Sequence, residues 1–255
     1  MAADGRAAGA VHQPKQRLRA GTGDPRRRPD RLPVVRRQPA LANSTAARLR
    51  AHLATWHLEG VETAGTGSLT LILSLGDGDV GSPFWAEHFR AIYTVTFAQT
   101  LSLRLVVQNR AMHPIQFEEA LHSYFAISDV TEIAISGLAG TTYIDKTDAA
   151  SRKPQIADLV TITAETDSVY LDTPGQCVIE DRGWSRRIVI EKESAASSVV
   201  WNPWAGKAAA MADLGDTAWR GMVCVETGNI ADNEVRLAAD AEHRMSTAIS
   251  VDAEQ

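Results

Sequence analysis

The stretch YTVTFAQTLSLRLVVQN (93–109) decides the fold class. On either side of AQT its apolar residues recur at every second position. That is the side-chain period of a half-buried strand, not the 3.6-residue period of a helix. The stretch therefore holds two strands or one long bent one. Upstream, SLTLILSL (68–75) ends at Gly76-Asp77-Gly78, which is turn chemistry. Downstream come QFEEALHSYFAI (116–127), VTEIAISGL (130–138), LVTITAE (159–165), SVYLD (168–172), CVIED (177–181), RRIVIEK (186–192), SSVVWNP (197–203), GMVCVE (221–226), EVRLAA (234–239) and RMSTAISV (244–251). So many short runs at near-regular spacing predict an all-β sandwich or barrel rather than an α/β fold. The one good helical signal, AGKAAAMADL (205–214), reads as a short connector between strands.

With 255 residues, 44% of them hydrophobic, the chain can bury a sizeable core, and one large domain is as plausible as two. No apolar run reaches the roughly 18 residues of a membrane span, and no apolar segment marks a secretory signal. Cys177 and Cys224 form neither a disulfide framework nor a metal-site spacing, so a cytoplasmic protein with reduced thiols and no bound metal is expected. The net charge of −5 hides a split. Residues 1–53 hold 12 Lys or Arg and three acids, whereas residues 54–255 hold 14 basic and 28 acidic residues. A basic arm ordinarily suggests nucleic acid. The acidic body argues against it, because phosphate contacts need Lys and Arg.

Two of the strand-like segments carry a catalytic type of side chain in apolar company: FEEALHSYFAISDV (117–130) has His122 and WRGMVCVETGNI (219–230) has Glu226. Strand alternation puts Ala120, His122 and Tyr124 on one face, and Met222, Cys224 and Glu226 on one face of the other strand. Singly, each has a bland reading: a strand histidine is more often a hydrogen-bonded core residue, and a glutamate at a strand end is usually solvated. Around them lie GLAGTTYIDKT (137–147), DSVYLD (167–172) and WNPWAGKAAAMADLGDTAW (201–219). From about residue 54 to the C-terminus the chain thereby resembles the hexose-6-phosphate mutarotases, or glucose-6-phosphate 1-epimerases, of the galactose-mutarotase-like superfamily.

The resemblance implies a large antiparallel β-sandwich with a substrate cleft on one sheet. It also implies a monomeric enzyme that interconverts the anomers of a small-molecule hexose phosphate, with no nucleic-acid or membrane partner. Ring opening needs one acid and one base held on opposite sides of a small molecule. The resemblance gives Glu226 the base role and His122 the acid role. Only protons move, so no metal or redox cofactor is needed. A glutamate among small apolar residues is partly desolvated, which raises its pKa and strengthens it as a base. Asp167 stands where the family contacts the sugar, although Ser168 replaces the arginine that usually follows. Its alternative is a turn residue opening the strand SVYLD. Thr227 likewise replaces a proline of the family pattern. Tyr143 and Asp145 read as structural, Lys207 as a solvated connector residue, and Trp201 and Trp204 as packing residues that could also stack on a sugar.

Residues 1–53 show neither period and are rich in Ala, Arg, Gly and Pro, the composition of a disordered arm. Two family signatures, RGG-(I/V)-P-x-x-(F/W)-P-W-F-G and HGFAR, belong in this region, and neither is written there. Yet GDPRRRPDRLPVVRRQP (23–39), back-translated with suitable codons and read one base along, becomes AIRGGVPIVFPWFGAN. At the same offset ARLRAH (47–52) becomes HGFAR followed by a threonine. Residues 12–53 are accordingly expected to be read out of frame, with compensation near residue 54, and the family's early strands to be missing or disordered as written. The rival is a natural Arg-rich extension. It would leave a non-catalytic or degenerate carbohydrate-binding sandwich without the family's phosphate-gripping arginines. The DNA encoding residues 10–56 decides between them.

Overall fold

Residues 93–109 fold as part of two strands that turn back on each other at Ala98–Thr100. The computed structural model describes residues 54–65, 67–80, 87–211, 214–215 and 217–253. The readings made for residues 1–53 (disorder, altered frame, missing early strands) lie outside that range. Among the described residues the strands are β1 (His57–Thr63), β2 (Leu69–Gly76), β3 (Phe89–Phe97), β4 (Leu101–Asn109), β5 (Ile115–Phe117), β6 (Glu119–Leu121), β7 (Tyr124–Ala126), β8 (Ile133–Ser136) and β9 (Thr142–Asp145). They continue as β10 (Ser151–Pro154), β11 (Thr166–Leu171), β12 (Gln176–Asp181), β13 (Arg186–Glu193), β14 (Ser197–Asn202), β15 (Met222–Asn229), β16 (Val235–Leu237) and β17 (Glu242–Ala253).

Two large antiparallel sheets result. One has eight strands in the order β1-β2-β3-β4-β17-β13-β12-β8; the other runs β10-β9-β11-β14-β15-β6, with β7 also pairing β15. The two-stranded sheet of β5 and β16 is separate. Alternation explains how the sheets stack. Ile135, Ile179, Ile188 and Ile190 of the first sheet meet Tyr170, Val200, Val223 and Val225 of the second in one apolar layer. Ile135, Ile179 and Val200 have no exposed surface. Burying such a side chain contributes roughly 1.5–3 kcal/mol. A second cluster packs β2–β4 against β5 and β16 through Leu75, Leu105, Phe117 and Leu237. The third covers the other face of the seven-stranded sheet with Ala120, Val169, Val199, Trp201, Met222 and Cys224. This is the expected all-β sandwich, and its third cluster borders the site.

Two local expectations need correction, and three strands lie where none was expected. LVTITAE makes only an isolated bridge between Val160 and Ile135, because the chain leaves the sheet after that one contact. The helix α1 covers Trp204–Ala209 and not the whole of 205–214. Strands β1, β9 and β10 carry no alternation in sequence. β1 is nearly all exposed and β9–β10 closes an outer edge, so neither needs a continuous apolar face.

The inward row of β13 ends on a cation. Lys192 follows Ile188 and Ile190 on that face and is 7% exposed; its Nζ donates to Thr173 Oγ1 and to the Ser197 carbonyl at 3.1 Å. Burial pulls its pKa down from 10.5 to about 8. The unfolded chain keeps this proton up to pH 10.5, while the folded chain releases it near 8. Stability therefore rises as pH climbs between those values, and the cost is constant below pH 8. Thermal melts should show the Tm of the native chain gaining on that of Lys192→Met from about pH 8 to 10. Parallel curves would mean that the amine is solvated.

Candidate active site

The outward face of the seven-stranded sheet is a grid, and its register places every polar group of the site. Leu121 pairs with Thr227 and Tyr124 with Cys224 in a single register, so His122, in the gap between β6 and β7, stands opposite Glu226. The gap is a tight turn in which Ser123 N–H donates to the Leu121 carbonyl at 2.9 Å. It interrupts the ladder at His122 without shifting it. Glu226 in turn pairs with Val199, and Cys224 with Trp201. Trp201 pairs with Asp167. The Lys146 N–H, donating to the Asp167 carbonyl at 2.9 Å, adds one more column. One row thus reads Tyr124, Cys224, Trp201, Asp167, Lys146; the next reads His122, Glu226, Val199, Val169, Ile144.

His122 Nε2 and Glu226 Oε1 are 3.1 Å apart, with side chains 9% and 5% exposed. The sequence reading expected acid and base on opposite sides of a ligand; they are instead neighbours in hydrogen-bond contact. Neighbours suit the chemistry, since the two oxygens that exchange protons in a cyclic hemiacetal are bonded to the same carbon. At this distance the Nε2–H of a protonated His122 donates to the Glu226 carboxylate, so the pair holds one acid and one base side by side. Tyr124 stacks on the imidazole (4.7 Å, 16°), and Trp201 meets it edge-on (5.9 Å, 74°), which fixes the ring plane.

His122, Glu226 and Trp201 line a cavity of about 320 Å³ together with Glu118, Ala120, Asp167, Val199, Ile230 and the residues Lys146, Lys207 and Met211. That volume lies in the small-ligand range of about 300–1,000 Å³. Asp167 is inside β11, not a turn residue before it, and its carboxylate lies 3.4 Å from Lys146 Nζ. Lys207 projects from α1 and pairs with Glu165 at 2.8 Å. Trp201 belongs to the cavity wall, while Trp204 packs on Trp219 at 4.4 Å. Tyr143 packs on Tyr170, and Asp145 holds Thr147 and Lys153, so both are structural as expected. Five lining residues were not singled out in the sequence reading: Glu118, Lys146, Val199, Met211 and Ile230. Glu118 shares the two-residue period of Ala120 and His122, a signal present in FEEALH itself. Ile230 continues the two-residue period of Met222, Cys224 and Glu226, whereas Lys146 enters only through cross-strand register, which no local pattern encodes. Among the described residues, no group of three His, Cys, Asp or Glu could hold a metal ion.

Behind this face a buried network holds β6 against β15. Glu119, fully buried, accepts from Asn229 Nδ2 at 2.9 Å and pairs with His243 Nε2 at 2.7 Å. Asn229 also donates to the Ser194 carbonyl at 2.8 Å and accepts from Ala196 N–H at 2.9 Å. Gly228 lies between them, facing Ala120; a Cβ there would come within 2.7 Å of the Glu119 carbonyl. The absence of a side chain at this point is what lets the two strands approach. On the other flank, buried Asn202 donates to the carbonyls of Trp219 and Met222, each at 2.8 Å, and accepts from Trp204 N–H. The WNPW stretch therefore pins α1, and with it Lys207, to the start of β15.

Comparison with known proteins gives concordant matches. A family model described as aldose 1-epimerase matches residues 37–250. A protein of Cenchrus ciliaris named "Putative glucose-6-phosphate 1-epimerase" is 34% identical over 59% of this chain and 46% of its own length. One of the same name from Escherichia coli is 26% identical over 65% of this chain and 55% of its own. The chain thus spans about half the length of the curated relatives it matches. Among solved structures, that of "a putative mutarotase" from Salmonella typhimurium superposes with a TM-score of 0.73 at 24% identity, covering 84% of this chain and 70% of the other. At that identity the likeness concerns the fold.

Proposed function

The chain belongs to the aldose 1-epimerase family, and from that premise we propose that it interconverts the α and β anomers of hexose 6-phosphates, glucose 6-phosphate foremost. The observation that carries the proposal is the 3.1 Å contact of His122 with Glu226 in the wall of a sugar-sized cavity. Glu226 removes the proton of the anomeric hydroxyl while His122 protonates the ring oxygen. The C1–O5 bond breaks and C1 becomes an aldehyde. Rotation about C1–C2 then presents the other carbonyl face, and the ring closes with the two roles reversed, returning both protons. Asp167, 17% exposed on its side chain, accepts a hydrogen bond from a sugar hydroxyl, and Trp201 supplies an apolar wall. The 6-phosphate preference draws on the names of the curated relatives. The reading also takes the chain to be a cytoplasmic monomer; Cys177 and Cys224, both buried and in no disulfide, support the reducing compartment, and no described helix is long and apolar enough to cross a membrane.

Magnetisation-exchange NMR on equilibrated glucose 6-phosphate, with calorimetry on the same sample, tests the proposal. Anomer exchange above the spontaneous rate, in proportion to protein, is the expected result. Binding without exchange would make the chain a carbohydrate-binding module.

A further inference from the structure

We propose that His243, on β17 of the opposite sheet, is a positioning residue for anomer exchange: through Glu119 it holds β6, and with it His122, in place beside Glu226. This rests on the acid–base reading above and adds the group that keeps its geometry.

The Asn229 amide fixes the direction of the hydrogen bonds around Glu119. Its Oδ1 accepts from Ala196 N–H at 2.9 Å, so Nδ2 is the donor end. Nδ2 has two hydrogens, and they go to the Ser194 carbonyl at 2.8 Å and to Glu119 Oε1 at 2.9 Å. None is left for His243 Nε2, which lies 3.3 Å from Nδ2. With nothing to accept there, Nε2 carries a hydrogen of its own, and at 2.7 Å it donates to the same Oε1. Phe117 meets the imidazole edge-on (6.3 Å, 70°) and steadies the ring in that direction. Two donors thus converge on one oxygen of a fully buried carboxylate. Its other oxygen, Oε2, has no hydrogen-bond partner among the described residues. Without the histidine a single donor would remain, and an underpaired buried carboxylate is costly.

This contact bears on the site because of where β6 lies. The strand is three residues long, ends its sheet, and pairs only with β15 among the described residues. Its rungs, Glu119 to Asn229, Ala120 to Gly228 and Leu121 to Thr227, stop one residue short of His122. An end strand leaves one backbone edge unpaired, so side chains must keep it from drifting sideways. Glu119 does this on the inner face by tying β6 to β17. Glu118 does it on the cavity face, where its Oε1 accepts from Ala231 N–H at 2.7 Å. His122 follows Glu119 by three residues, about 10 Å of strand, and must keep its Nε2 within hydrogen-bond reach of Glu226.

The test is steady-state exchange of glucose 6-phosphate by the full chain and by His243→Leu, His243→Asn and His243→Gln, each rate corrected for the folded fraction. His243→Leu should lower kcat about tenfold with KM within about twofold, because a pair displaced by a fraction of an ångström loses rate before it loses binding. The two amides separate reach from polarity. Glutamine places an N–H where Nε2–H stood and should bring kcat to within about threefold of native, whereas asparagine is too short and should behave like leucine. A folded His243→Leu protein with native kcat, a change confined to KM, or a glutamine no better than asparagine overturns the assignment of His243 alone. A chain that folds with neither leucine nor asparagine makes the residue structural and overturns it too. A native chain without exchange above the spontaneous rate overturns the acid–base reading, and this proposal with it.

Discussion

Replacing Glu226 with glutamine is expected to lower kcat for anomer exchange by roughly a thousandfold, the middle of the range for loss of a positioned acid or base. Glutamine keeps the size and the acceptor oxygen of glutamate, so the buried side chain, 5% exposed, stays packed. What disappears is the capacity to take a proton. On the proposed mechanism His122→Ala should cost a similar factor, because the two groups would pass protons at one carbon and act as a unit. The double variant should then be scarcely worse than either single one. Exchange rates with glucose 6-phosphate, alongside melting curves, would show this. A Glu226→Gln protein that is folded and within about threefold of the native rate would remove the residue from the chemistry.

The second large effect is expected far from any proton. Gly228→Ala introduces a Cβ 2.7 Å from the Glu119 carbonyl and 3.1–3.2 Å from the Ile230 side chain. Backbone cannot swing aside as a side-chain tip can, so β6 must part from β15. That overpacking should destabilise the fold by about 1–3 kcal/mol. The separation also pulls His122 away from Glu226, and a displacement of about 1 Å in a catalytic pair is worth on the order of a hundredfold in rate. Gly206→Ala is the contrast, since its Cβ would meet nothing within 4 Å on a short helix; it should leave both stability and rate alone. Denaturant melts and exchange rates on both variants separate strand contact from generic glycine loss. Equal behaviour of the two would rule out the close approach as the cause.

The sequence made the sandwich legible wherever a strand has one wet and one dry face. Residues 93–109 and RRIVIEK alternate because their strands do, with Leu103, Leu105, Ile188 and Ile190 turned inward. It was silent on β1 and on the β9–β10 edge, where exposure removes the pattern. It misled at LVTITAE, where Leu159 is exposed, Val160 makes a single bridge to Ile135, and Ile162 is 1% exposed yet in no strand. For the site, His122 and Glu226 stood out as polar residues in apolar strands. Their opposition is a matter of register across 104 positions of chain, invisible to any local window. Lys146 was passed over for the same reason. Its neighbour Asp145 is locally just as conspicuous, but one residue's difference puts Asp145 off the cavity and Lys146 onto its rim.

The strict division of the seven-stranded sheet into two faces has a consequence for engineering. Val199, Trp201 and Asp167 line the cavity, while Val200, Ser198 and Ser168, their immediate neighbours in the chain, do not. On the proposed function, alternate positions of the cavity wall are the ones to vary for a different sugar, while the intervening residues keep the inter-sheet layer as it is. Libraries confined to positions 118, 167, 199 and 201 should explore new specificities at little cost in foldable variants, because recognition and cohesion are written in alternate letters of the same strands.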